Sequence, residues 1–206
     1  MEILKKSICA IIILCQTFFA LAQNEAMMQK SFSESYTLEY NKKYTEAIAV
    51  LSKLNDNESY EINLRLGWLN YLNKKYTQAE INYQKAVSLK PYSIESRLGL
   101  VKSLAAVENW DKVMQQYEEI LKIDPQNYTA NYWTGVIYYN RKKFETASKL
   151  FEKLVNMYPF DYDANHMLAW TFLNMGRMND AKMLFNKALL NKPGDASCLE
   201  GLGKIK

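Results

Sequence analysis

The chain has 206 residues, 23% of them charged and 49% hydrophobic, with a formal net charge of +4. That supplies enough apolar side chains for a substantial core, and seven glycines and four prolines are too few for a many-turned β architecture. The charge is mild and spread along the chain, which argues against a nucleic-acid partner.

The first predicted element is a leader. Lys5 and Lys6 precede an apolar run, Ser7 to Cys15, which continues through Phe18-Phe19 and closes with Ala20-Leu21-Ala22. A basic start, a short apolar core and a small-x-small close are the three parts of a secretory signal peptide. The run is shorter than the ~20 residues a membrane span needs, and Gln16 and Thr17 interrupt it. Residues 1–22 are therefore expected to be removed after Ala22, with an uncleaved signal anchor as the alternative and the only expected tie to a membrane. A lipoprotein reading is weak, because Cys15 follows Leu14 rather than a small residue. Removal takes two lysines and one glutamate and leaves +3. It also takes Cys9 and Cys15, so Cys198 remains alone and no intrachain disulfide can form. A lone Cys198 reads as a small packing residue.

Beyond the leader, the spacing predicts helices in pairs. First helices fall near 27–41, 60–73, 94–107, 128–140 and 162–174, and second helices near 43–55, 75–89, 109–122, 143–157 and 177–190. The second helices carry one stripe in register: a mostly small residue at Ala47, Ala79, Val113, Ala147 and Ala181, and a large one three places earlier at Tyr44, Tyr76, Trp110, Phe144 and Met178. Another large residue follows four places later, at Leu51, Tyr83, Tyr117, Phe151 and Phe185. Leu54, Ala86, Ile120, Leu154 and Ala188 complete the stripe. This is helical spacing, with a small residue where two helices approach and rings to fill the space around it. Pro91, Pro125, Pro159 and Pro193, each 34 residues from the next, stop the second helices, since proline cannot donate the next backbone bond. Asn127, Asp161 and Asp195 stand where side chains cap the helices that follow. Residues 140–143 and 174–177 read as tight turns within a pair. After 195 the pattern restarts at Leu199, Leu202 and Gly203, so 196–206 is either a capping helix or part of a repeat that runs on.

The 34-residue period, the A-x3-F…P ending, and the earlier signature visible in Leu66-Gly67, Thr134-Gly135 with Tyr138, and Leu168-Ala169 with Phe172 resemble the tetratricopeptide repeat family. Five repeats are implied, near 28–59, 60–93, 94–127, 128–161 and 162–195, covering nearly all of 23–195. The third departs most, with Val101 and Val113 in place of small residues; the first is two residues short and lacks the proline. The resemblance implies an all-α fold, a right-handed α-solenoid of antiparallel helix pairs that forms a superhelix.

Catalytic chemistry is hard to find. The chain has one histidine, His166, without a ligand-spaced cluster around it, and is read as a packing or partner-contact residue. Asp161, Asp163 and Asn165 open like a calcium loop, but His166 stands where the loop needs glycine and Phe172 where it needs glutamate. Glu118 and Glu119 read as a solvated pair. The triplets at Asn57 and Asn127 fit a glycosylation acceptor, a pattern common by chance. There is no G-x-x-x-x-G-K, no G-x-S-x-G and no C-x2-C. The reading is no enzyme, no cofactor and no metal.

The family resemblance places the first helices around a concave groove where partners lie. By helical spacing the groove residues are Tyr36, Leu64, Trp68, Tyr71, Lys102, Tyr132, Val136, Tyr139, His166 and Trp170, with Phe32, Tyr40, Leu98 and Leu173 beside them. Such a face is aromatic for a surface, and aromatic anchors dominate binding hot spots. Lys102 and Arg65 are too isolated to clamp an acidic peptide, so an apolar or aromatic peptide, helix or loop of another protein fits better. The expected function is a non-catalytic protein-protein interaction scaffold or adaptor outside the cytoplasm, periplasmic or secreted. The alternative is the recognition domain at the N-terminal end of a longer enzyme or receptor.

Overall fold

The computed structural model describes residues 23–205. The expected leader, residues 1–22, and Lys206 lie outside the described residues. All regular structure among them is helical: α1 (described over 23–40), α2 (Tyr44–Ser52), α3 (Tyr60–Leu72), α4 (Tyr76–Leu89), α5 (Ile94–Ala106), α6 (Trp110–Ile123), α7 (Tyr128–Asn140), α8 (Phe144–Met157), α9 (Tyr162–Asn174), α10 (Met178–Asn191) and α11 (Ala196–Gly203). None is long and apolar enough to cross a membrane. The chain divides inside α5, between Ser103 and Leu104, into two compact units.

The starts of first helices follow from caps, whereas α2, α4, α8 and α10 begin without a side-chain cap. In unit 1, Ser59 Oγ accepts the Ile62 N–H at 3.3 Å and Ser93 Oγ accepts that of Ser96 at 3.1 Å. In unit 2 the three caps expected from sequence all form: Asn127 accepts from Ala130 at 3.1 Å, Asp161 from Ala164 at 2.8 Å and Asp195 from Cys198 at 3.0 Å. Each satisfies a backbone donor that the helix itself leaves open. The turn within each pair holds one residue in the left-handed region, at Lys42, Lys74, Glu108, Lys142 and Gly176. Only the last is the residue that adopts it without steric cost. Asn55 also has positive φ, and α2 ends at Ser52 rather than near 55. The shortened first repeat has no proline to stop it and uses this left-handed residue instead.

A second device holds the turns before α3, α5, α7 and α9. Buried Asn63 donates to the carbonyls of Asn57 and Ser59, Asn131 to those of Pro125 and Asn127, and Asn165 to those of Pro159 and Asp161, all between 2.6 and 3.1 Å. In the third repeat Arg97 occupies that register and donates to the Pro91 carbonyl at 3.0 Å. Carbonyls left without a helical partner are thereby satisfied by a side chain that repeats.

The core is the stripe read from sequence without its leading large residues: Tyr44, Tyr76 and Phe144 are half-buried, and Trp110 and Met178 are exposed. In unit 1, Ala47, Leu51, Ala79 and Ala86 are fully buried, and the Tyr83 ring lies against two first helices at their glycines. A Cβ on Gly67 would stand 2.8 Å from that ring, and one on Gly99 would also collide with it. In unit 2, Ala147, Phe151, Leu154, Ala181 and Phe185 are fully buried in one cluster with Ala164, Ala169 and Cys198. A Cβ on Gly135 would meet Phe151 at 2.7 Å, and Gly201 lies against Phe185. Nothing stands near Gly203. The expectation that Gly203 carries the signature of the last helix is therefore corrected to Gly201, two places earlier, as Gly99 is two places before Val101.

Successive first helices are also stapled. Tyr60 Oη and Ser93 Oγ share a 2.7 Å hydrogen bond in unit 1, and Tyr128 Oη donates to Asp161 at 2.6 Å in unit 2. Tyr162 stands in the same register, close to Asp195, whose charge helps to raise its hydroxyl pKa after burial, the largest cause. Each pair is a tyrosine at the first helical position and the cap of the next first helix. Ile94 occupies the tyrosine's place in the third repeat and has no hydroxyl.

Candidate functional site

In unit 1 the first helices bring Tyr36, Arg65, Trp68, Tyr71 and Lys102 into one chain of contacts. Arg65 is buried. It donates to Ser35 Oγ at 3.1 Å, pairs with Glu39, and places its guanidinium 3.8 Å from the centroid of the Tyr36 ring. Trp68 donates its indole N–H to the same Glu39 at 2.7 Å, stacks on Tyr71 at 5.8 Å and carries the Lys102 ammonium 5.0 Å above its ring. Glu39 thus joins a cation and an indole, and both rings lie under cations, an arrangement that favours rings through their quadrupole. Tyr36 is 56% exposed, Lys102 is exposed, and Leu64, Trp68 and Tyr71 are half-buried. Arg65 is not an isolated groove cation, as its place in sequence implied, but the buried centre of this cluster. Its partners, Ser35 and Glu39, lie about thirty residues earlier, which is why spacing within one helix did not find them.

In unit 2 the corresponding face is held by hydrogen bonds and ring contacts. Tyr132 stacks on Tyr128 at 6.0 Å, meets Phe151 edge-on and touches Trp133, itself 47% exposed and absent from the sequence-derived set. Tyr139 Oη accepts from Asn174 at 3.0 Å. Val136, beside them, is half-buried. Trp170 packs edge-on against Phe185 and donates its indole N–H toward His166 Nε2 at 3.1 Å and Ser197 Oγ at 3.0 Å. His166 Nε2 and Ser197 Oγ lie 2.8 Å apart, and the imidazole stacks on Tyr162. An indole N–H only donates, so Nε2 must accept and the neutral ring carries its proton on Nδ1. Burial, the largest cause, holds the His166 pKa below its ordinary value, while Asp195 and Asp163 oppose it. Burial pushes the Tyr132 hydroxyl up to about 12 and raises Tyr139 as well. These phenols are neutral at physiological pH, and that of Tyr139 is the hydrogen-bonded tip of an otherwise apolar ring.

Models of the tetratricopeptide repeat match residues 33–94, 98–162 and 162–195. The chain belongs to the tetratricopeptide repeat family. Among solved structures, a tetratricopeptide repeat protein from Parabacteroides merdae superposes with a TM-score of 0.76 at 19% identity, covering 87% of this chain and 72% of its own. The MamA protein gives 0.71 at 18% identity, covering 82% and 94%. YrrB, described as a TPR protein with an unusual peptide-binding site, gives 0.70 at 16% identity, covering 89% and 95%. A comparison with curated proteins finds no match. At these identities the likeness shows the fold, which is the all-α tetratricopeptide solenoid of antiparallel helix pairs expected from the repeat.

Proposed function

We propose that this chain is a protein-interaction scaffold whose first helices present aromatic surfaces to a peptide, helix or loop of another protein. The observation that carries the reading is that large rings on these faces stay partly open while being fixed in place. Tyr36 is more than half exposed but sits on Arg65; Trp68, Tyr132 and Trp170 are half-buried, with ring or hydrogen-bond partners. Rings held before a partner arrives lose little freedom on binding. Membership of a family of repeat scaffolds, and the peptide-binding site ascribed to YrrB, support the same class of activity. No catalytic role is part of the proposal.

The reading includes export, on the strength of the leader-like residues 1–22. A mature N-terminus at Gln23, read by N-terminal sequencing of extracytoplasmic material, is the expected result; a start at Met1 in a membrane fraction would replace cleavage with anchoring. The interaction itself is tested by affinity capture from the native envelope, with partners identified by mass spectrometry. Capture should be stoichiometric and should fail with a chain carrying Trp68→Ala and Trp170→Ala that keeps its helical circular dichroism.

A further inference from the structure

The stacking of α9 against the start of α11 gathers three metal-ligating side chains that are far apart in sequence. The ligand atoms of His166, Asp195 and Cys198 lie within 4.8 Å of one another. We propose that these three residues form a site for one divalent transition-metal ion of the zinc class. This goes beyond the scaffold reading, does not depend on it, and departs from the sequence expectation of no metal.

The donor set decides the class of ion. One imidazole nitrogen, one carboxylate oxygen and one thiol sulfur suit zinc and its neighbours, whereas calcium and magnesium take oxygen alone. Around a tetrahedral zinc with bonds of roughly 2.0–2.3 Å, ligand atoms stand roughly 3.3–3.8 Å apart, so the present cluster needs to close by about 1 Å. Cys198 is fully buried, the Asp195 side chain is 9% exposed and His166 is half-buried, which shields an ion from most water. Three protein ligands leave a fourth position for water or a group brought by a partner. The imidazole must first change tautomer: Nε2 now accepts from Trp170, so an ion can take Nδ1 only once the ring proton has moved to Nε2. There Ser197 Oγ can accept it along with the indole N–H, while Tyr162 stacks on the ring and the Cys198 N–H holds Asp195.

Two groups compete with a cation. Lys192 pairs with Asp195 at 2.9 Å, but it is 61% exposed on a flexible stem and can turn to water. The thiol is the other: burial, and then its hydrogen bond to Asp195, push it up to about 11, so without metal it stays protonated. On binding, the S–H bond breaks, the metal–sulfur bond forms and the proton leaves to solvent, with no change of oxidation state. Affinity should therefore rise with pH. The sequence hides the site because its ligands come from two successive repeats, 29 and 32 residues apart, rather than from a short motif.

The test uses the full chain with Cys9→Ser and Cys15→Ser, leaving Cys198 as its single thiol. Cobalt(II) is titrated in, followed by zinc, with a chromophoric chelator in competition. One equivalent of cobalt should give a thiolate-to-metal charge-transfer band that zinc abolishes. Cys198→Ser should remove the band, and His166→Gln and Asp195→Asn should each weaken zinc binding at least tenfold. Asp195→Asn keeps a competent helix cap, so its loss of affinity is not loss of fold. No charge-transfer band in the parent chain, or zinc binding equal in the parent and Cys198→Ser chains, would overturn the proposal; the first readout needs no variant to fold.

Discussion

The two units use one repeat to build different interiors behind their aromatic faces. In unit 1 the rings are organised by charge: buried Arg65 reaches Ser35, Glu39 and Tyr36, and Glu39 also holds Trp68. In unit 2 the buried polar side chains are neutral, namely Asn131, Thr134, Ser148, Asn165 and Thr171, and the rings are tied to side chains of the next repeat. A shared backbone register thus fixes where rings stand, while the residues behind them decide whether that surface depends on ion pairing or on neutral hydrogen bonds. Unit 1 should be sensitive to loss of a single charge, and unit 2 to acid.

The largest effect should follow from breaking the ion pair in unit 1. Glu39→Ala leaves Arg65 buried without its counter-charge, at a cost of about 3 kcal/mol. Arg65→Met combined with Glu39→Gln should recover most of that, because the desolvation of both charges is removed together. Chemical denaturation of the three chains checks both results; equal loss in the single and double variants would mean that packing, not charge, organises this face.

Next in size are the close approaches, which should cost the same in both units. Gly67→Ala against Tyr83 and Ala181→Leu in the unit 2 cluster should each lose about 1–3 kcal/mol by overpacking. Thermal melting reads this, and an unchanged Tm for Ala181→Leu would refute the assigned register.

Acid should act on unit 2 through His166. Its folded pKa lies below the ordinary imidazole value of about 6.5, so in the window between the two the unfolded chain binds more protons. The stability contributed by neutral His166 is complete above that window and is lost as pH falls through it. Protonation would also turn Nε2 into a donor facing the Trp170 N–H. Wild type should therefore lose more stability between pH 7.5 and pH 5.5 than His166→Gln; parallel curves would contradict this.

The smallest effect should be a gain. Lys74→Gly in unit 1 and Lys142→Gly in unit 2 relieve a left-handed residue that costs ~1–2 kcal/mol, offset by the ~0.5–1 kcal/mol entropic cost of glycine. Each should raise stability by about 0.5 kcal/mol, measured by denaturant midpoint.

Much of this was legible in the sequence, and for a physical reason. The helix pairs, the buried stripe and the caps at Asn127, Asp161 and Asp195 depend on spacing within a single repeat, which one sequence displays. The recurring Asn63, Asn131 and Asn165, and the tyrosines at 60, 128 and 162, carried the same 34-residue signal in their last two members and could have been read from it. What spacing did not reveal was contact between repeats: Ser35 and Glu39 behind Arg65, Ser197 beside His166 and Trp170, and His166 close to Asp195 and Cys198. Those pairings depend on which residues of successive helices meet, and small offsets decide them. Gly99 and Gly201, not the aligned positions 101 and 203, meet the rings. Glu119, read as part of a solvated pair, binds Lys122 at 2.6 Å, which leaves Glu118 as the better outward control.

The central claim is that the aromatic faces bind a protein, and its most direct measurement is the affinity of a captured partner for matched variants. Tyr36→Ala and Trp68→Ala test unit 1, Tyr139→Ala and Trp170→Ala test unit 2, and exposed Glu118→Ala is the control, each first shown to be helical by circular dichroism. A buried anchor removed at either face should raise Kd about thirty-fold, equivalent to ~2 kcal/mol, with Glu118→Ala unchanged. Wild-type affinity in all four aromatic variants, together with weakened binding in Glu118→Ala, would contradict it.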